Sequence, residues 1–186
     1  MQTDIPVTQL IHNSQLGDQG ANNALFAASY GRLRALARAR LRLCRRDTML
    51  GTTSLVHEFY VRFAAPGYVP IANRAHFIRY ASRVMRFVIV DFVRRRQARR
   101  RYGAGEPATL DNDIPAGPSQ GETEILRVHL ALEHLAKLNE RLAQVVEMRY
   151  FAGLTEPQIA ELLNVTERTV RRDWEKARLL LIAALQ

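Results

Sequence analysis

Residues 102–125 read YGAGEPATLDNDIPAGPSQGETEI, and this stretch most limits what the chain can fold into. It holds four glycines, three prolines and five acidic side chains, with no basic residue and no apolar periodicity. Glycine is conformationally permissive and proline lacks a backbone donor, so such a stretch neither propagates a helix nor joins a sheet. It reads as a flexible acidic linker, assigned to residues 102–124, between blocks at 1–101 and 125–186. A chain of 186 residues suffices for one ordinary domain or two small ones, and this linker divides it into two. No internal repeat relates the blocks.

Helical periodicity dominates both blocks, and no stretch alternates for long as a strand would. The first block predicts a short helix near Thr8–Leu16, with Thr8 as N-cap and Gly17-Asp18 as the stop. A long helix follows over about Ala21–Leu43, with Leu25, Phe26, Ser29, Leu33, Leu36 and Leu41 inward. A third covers about Thr53–Ala64 and buries Leu55, Val56, Phe59, Tyr60 and Phe63. Pro66-Gly67 and Pro70 break it before a fourth helix over about Arg74–Arg100. The second block predicts helices at about 122–137, 140–151, 156–163 and 167–184. The expected class is all-α: two small helical domains joined by the acidic linker.

Charge narrows the function. The chain carries 27 Lys and Arg against 18 Asp and Glu, a net +9 with pI near 10.5. By position this is +13 over residues 1–101, −5 over 102–125 and +1 over 126–186. An excess of that sign points to a polyanionic partner. Cys44 is the lone cysteine, which excludes a disulfide framework and a cysteine-built zinc site and suits a reducing cytoplasm. Apolar runs such as Leu179–Leu185 fall far short of the ~20 residues that span a bilayer, and the N-terminus shows no secretory signal. The expectation is a soluble cytoplasmic protein without membrane insertion.

On the fourth helix, Phe77, Ala81, Val84 and Val88 recur at helical spacing. Arg79, Arg83 and Arg86 repeat that spacing two residues out of phase, about 200° around the axis. The helix ends in RRRQARRR, Arg94–Arg101, where uncompensated like charges repel each other. An anionic partner relieves that repulsion, and nucleic acid fits better than a membrane surface because the opposite face is committed to a core. Phe77 reads as core, while Tyr68 and Tyr80 are open between packing and stacking on unpaired bases.

The segment LTEPQIAELLNVTERTVRRDWEKARLLL is the most specific signal. Thr155 and Gln158 form a capping box around Pro157, where a missing N–H costs nothing. Ile159, Ala160 and Leu163 face inward, Asn164 suits a left-handed turn, Val165 anchors that turn, and Thr166 caps the next helix. That helix buries Val170, Trp174, Ala177 and Leu181 and presents Arg168, Arg171, Arg172 and Glu175 outward. This is the spacing of a DNA-binding helix-turn-helix, since a purely structural helix pair has no use for three arginines projecting together.

Signs of enzyme chemistry are missing. Gly103-Ala104-Gly105 follows no strand, His57-Glu58 lacks a second ligand at Val61, and His12, His57, His76, His129 and His134 show no ligand spacing. The chain reads as a non-enzyme without metal or cofactor.

With these residues in place, the chain resembles a bacterial RNA polymerase sigma factor of the extracytoplasmic-function type over roughly Val7–Arg101 and Glu124–Leu185. SLVHEFYVR, Ser54–Arg62, resembles the helix that docks on the clamp coiled coil of the polymerase largest subunit, which implies Leu55, Val56, Glu58, Phe59 and Arg62 as polymerase contacts. Leu55 and Phe59 equally fit a core. Asn73–Arg100 resembles the segment that melts and reads the −10 promoter element, implying Tyr68, Asn73, Arg74, Arg79, Tyr80, Arg83 and Arg86. Arg94, Arg95, Arg96, Arg99 and Arg100 would follow the nucleic-acid backbone. Val145–Arg178 resembles the −35-reading domain, implying Arg168, Thr169, Arg171, Arg172, Glu175 and Arg178. Asn164 stands where the family usually has Gly, and His57 where many members have Gln.

The resemblance implies an initiation factor that takes core polymerase to promoter DNA, duplex and single-stranded, and leaves room for an anti-sigma or other inhibitory partner. A stand-alone helix-turn-helix regulator is the alternative, and a basic interaction or membrane-surface module a third.

Overall fold

A computed structural model describes residues 19–43, 50–65, 71, 73–102 and 120–186. The expected helix at Thr8–Leu16, the loop bearing Pro66-Gly67, Tyr68 and Pro70, and most of the linker lie outside these residues. Every regular element among the described residues is helical: α1 Gln19–Leu43, α2 Thr52–Ala64, α3 Arg74–Tyr102, α4 Gln120–Leu138, α5 Glu140–Val146, a π-helical turn Glu147–Phe151, α6 Glu156–Leu163 and α7 Glu167–Leu185. No described helix is long and apolar enough to cross a membrane.

The first three helices pack by their expected stripes. Leu25, Ser29, Leu33 and Leu36 of α1 are buried, as are Leu55, Val56, Phe59 and Phe63 of α2. α3 is preceded by Asn73, whose side-chain oxygen accepts from the His76 N–H at 2.9 Å. This satisfies a donor that the first turn leaves without a helical partner. Phe59, Phe63 and Phe77 meet with ring centroids 5.4–5.8 Å apart. Such ring pairs add about 0.5–1.5 kcal/mol each beyond the area they bury.

Two apolar stripes run along α3. Phe77, Ala81 and Val88 are buried, and so are Ile78, Met85, Ile89 and Val93. The second stripe leads to the C-terminal block: Ile89 and Val90 line a cavity of about 160 Å³ with Ile125, Val128 and Phe151. Val145, Met148, Ile159 and Val170 join one buried cluster with Leu25, Phe59 and Met85. Leu132, Leu135, Leu142, Ala143, Val146 and Ala177 form a smaller cluster within the C-terminal block. The larger cluster thus draws on both blocks, while the smaller belongs to the C-terminal block alone. A unit of about 60 residues buries too little surface to stand comfortably alone.

Two boundaries differ from expectation. α4 begins at Gln120, inside the stretch assigned to the linker, and α3 continues to Tyr102. Glu122 sits in the first turn of α4, where the helix dipole favours an anion, and is buried under Arg100 and Arg96. The expected single helix over 140–151 is instead α5 followed by the π turn. There the Ala152 N–H donates to the Glu147 carbonyl at 2.9 Å, spanning one residue more than an α turn. Gly153, at φ 64°, ends the turn in a conformation that a residue with Cβ adopts reluctantly.

Candidate nucleic-acid interface

α6 and α7 are joined through Asn164, which adopts the left-handed conformation at φ 51° and ψ 49°. The Val165 N–H donates to the Ala160 carbonyl at 3.0 Å, closing the turn over a small residue. The Gln158 side-chain oxygen accepts from the Thr155 N–H at 3.0 Å, and the Thr166 hydroxyl accepts from the Thr169 N–H at 3.2 Å. Both helix starts are thus held by local hydrogen bonds, as their sequences predict.

On α7, Val170 and Ala177 are buried and Trp174 is half-buried, which turns the opposite face to solvent. Arg168, Arg171, Arg172, Glu175 and Arg178 are exposed, and Thr169 is half-buried beside its cap. Glu156, at the start of α6, bridges two arginines. One oxygen lies 2.9 Å from Arg171 Nη2 and the other 2.7 Å from Arg149 Nη1. The hydrogen bond from Arg171 holds the Glu156 carboxyl below its ordinary range, and Glu156 in turn raises Arg171. Arg149 also lies over the Trp174 ring, 4.9 Å from its centroid. Arg172 and Arg178 make only long pairs, 3.8 Å each, with Asp173 and Glu175. They retain donors for an anionic ligand.

The first block is more divided. Arg74 and Arg83 are exposed, Arg79 is half-buried, and Asn73 serves as a helix cap. Burial first, and then neighbouring Arg83, pull the Arg79 guanidinium down, while Glu147 and Glu140 pull it up. Tyr80 lies 6.1 Å from the Phe59 ring and 6.4 Å from Phe63, and burial raises its phenol. Of its two open readings, packing is the one seen here. Tyr68 lies outside the described residues.

Arg86 departs most from the expectation of an outward stripe. It is only 8% exposed, donates to the His129 Nδ1 at 2.6 Å, and pairs with Glu147 at 2.6 Å. Position 86 also lies beside the second apolar stripe of α3, so that side of the helix meets the C-terminal block. The basic tail divides likewise. Arg94, Arg95 and Arg99 are exposed, whereas Arg100 forms a bidentate pair with Glu122 at 2.8 and 2.9 Å. Arg96 joins the same carboxylate at 3.3 Å.

The expected polymerase contacts separate by helical face. Leu55, Val56 and Phe59 are at most 1% exposed and belong to the core, so they present no docking surface in this conformation. α2 lies between α1 and α3, and its apolar positions at 55, 56, 59 and 63 all turn toward them. Glu58 and Arg62 lie on the outer side, paired at 2.5 Å, with exposed His57 and Val61 beside them.

Several charged residues escaped the sequence reading. Arg40 is buried over the Phe151 ring, 4.1 Å from its centroid, and donates to the Ser82 carbonyl at 2.9 Å. Its signal was register: position 40 continues the inward stripe of Leu33, Leu36 and Ala37. Asp173 is buried against Arg141 at 2.7 Å, one turn from Val170 and Ala177. Glu122, His129 and Glu147 gain their roles from partners far along the chain, and no local pattern marks them.

No curated protein and no solved structure matches the chain significantly. The family model described as ECF sigma factor matches residues 4–186, almost the entire sequence, and the chain belongs to that family.

Proposed function

We propose that α7 reads the −35 promoter element as duplex while the first block opens and holds the −10 element. Membership of the ECF sigma factor family makes the chain a promoter-specific transcription initiation factor that works with RNA polymerase, in a family of transcription factors and not of enzymes. The finer division of labour rests chiefly on one observation: Arg168, Arg171 and Arg172 project from a helix whose opposite face is buried. That arrangement suits a helix laid in a major groove with its core side turned away. Arginine paired to guanine there is worth ~1–3 kcal/mol of discrimination. Thr169, Glu175 and Arg178 share the helix and complete the proposed reading surface.

In the first block, Arg74, Arg79 and Arg83 supply positive charge for a separated strand, with Arg94, Arg95 and Arg99 continuing it along the backbone. Tyr68 is assigned to capture of an unstacked base, a step that costs a few kcal/mol per base and needs a receiving ring. Polymerase docking is assigned to the outer side of α2, through Glu58, Arg62, His57 and Val61.

Reconstitution with core polymerase tests this reading. The purified chain should direct transcripts from specific start sites, and Arg172→Ala should weaken −35-dependent initiation without lowering thermal stability. Failure to associate with core enzyme would sink it.

A further inference from the structure

The cavity of about 160 Å³ where α1, α3, α4 and the π turn come together has one apolar side and one basic side. Ile89 and Val90 of α3, Ile125 and Val128 of α4, and Phe151 of the π turn supply the apolar side. Arg40, Arg86 and His129 stand in the same wall and are only 3%, 8% and 5% exposed. Arg86 pairs with Glu147 at 2.6 Å, while Arg40 donates to Ser82 and lies over the Phe151 ring. Among the described residues the carboxylate that lines the cavity is Glu124, which is exposed, as is Tyr150. Water therefore screens the negative charge at the rim, and both guanidiniums lie in the interior, where charge acts more strongly.

His129 adds a directed donor. Its Nδ1 accepts from Arg86 at 2.6 Å, so the ring proton sits on Nε2. The ring otherwise meets Phe87 edge-on, and no described group takes the Nε2–H. A cavity of ~150 Å³ walled by Leu, Ile and Phe takes up benzene. One of this size accommodates a single ring or a short hydrocarbon chain.

We infer that this cavity binds a small carboxylate with an apolar body about the size of one aromatic ring. The body packs between α3 and α4, and the carboxylate accepts from His129 Nε2 beside Arg40 and Arg86. A cation is repelled by the two guanidiniums, and a plain hydrocarbon leaves the His129 donor unmet. The walls come from both blocks, so an occupied site stabilises the folded chain in step with its occupancy. The site is separate from the exposed arginines of α7 and requires no DNA.

Benzoate is the probe, with benzyl alcohol as its neutral counterpart, each titrated into the full chain and followed by NMR. A ligand of about nine heavy atoms reaches a dissociation constant on the order of 0.1–1 mM. Benzoate should saturate one site, raise the melting temperature, and bind about tenfold tighter than benzyl alcohol, the margin of a charge-assisted hydrogen bond. Ile125→Trp fills the cavity from a half-buried position and should weaken benzoate at least about tenfold, with thermal melting confirming the fold. Ile125→Ala enlarges the cavity and should admit 2-naphthoate, which the parent excludes, a result that does not depend on the Trp variant folding. No saturation by benzoate below about 10 mM overturns the site. Equal affinity for benzoate and benzyl alcohol overturns the carboxylate preference. Undiminished benzoate binding in folded Ile125→Trp means that the probe meets surface arginines, and overturns the placement.

Discussion

Glu156 places one carboxylate between two arginines, and only one of these lies on the proposed reading face of α7. Arg149 is anchored on the Trp174 ring as well as on Glu156, while Arg171 is 68% exposed at its side chain and tied at a single nitrogen. An arginine held along one edge loses less rotamer freedom when its remaining donors meet a base. Glu156→Gln should therefore reduce discrimination against a mismatched −35 duplex more than it reduces binding to a random duplex. Arg171→Ala should cost ~1–3 kcal/mol of discrimination at a single base pair. Competition binding with single-substitution duplexes checks both. Equal losses on cognate and random DNA would mean that these side chains contact phosphate alone.

The same scale shows where sequence was informative. Gln158, Asn164 and Thr166 act on backbone groups within five residues, so their types and spacing carried the result. Arg86, Glu122 and Glu147 depend on which helices meet, and nothing within a turn of them encodes that. Arg40 lies between these cases: its register was visible, but its charge argued for solvent. Burial over the Phe151 ring and two hydrogen-bonding interactions with Ser82 reconcile the two.

At the scale of the element, α2 shows how amphipathicity can mislead about function. Its most conspicuous residues, Leu55, Val56 and Phe59, are conspicuous because they are core, and the docking proposed above falls on the quieter opposite side. Phe59→Ala should destabilise the fold by about 3–5 kcal/mol, as removal of a buried ring does. Val61→Glu should leave the denaturation midpoint near the parent value yet weaken association with core polymerase. Pull-down of core subunits beside urea denaturation separates these outcomes. If Val61→Glu binds core as the parent does, the docking face lies elsewhere on the chain. The turn between α6 and α7 gives a second element-level expectation. Asn164→Gly keeps the left-handed turn available, whereas Asn164→Val forces a branched side chain into it at a cost of about 1–2 kcal/mol. Thermal melting should show the difference directly.

At the scale of the whole molecule, the two blocks meet at a histidine, which gives their union a pH dependence. The His129 ring is buried and its Nδ1 lies 2.6 Å from an Arg86 nitrogen. Arginine has no acceptor to offer, so Nδ1 accepts and the ring proton sits on Nε2. Burial first, and then Arg86, push the His129 pKa below its ordinary 6.5; Arg94 adds to this, while Glu133 and Glu147 oppose it. Below pH 6.5 the unfolded chain takes up a proton that the folded chain refuses, so stability falls as the pH drops toward the folded value. Above about pH 7.5 both states are neutral at this site and the contribution is flat. His76 is shifted in the same direction, by burial and then by Arg79, and adds a slope of the same sign. The informative quantity is therefore the difference between parent and His129→Gln, whose side-chain oxygen still accepts from Arg86 but does not titrate. Urea midpoints measured from pH 7.5 to 5.5 should fall more steeply for the parent than for the variant. Parallel slopes would remove His129 from the pH response.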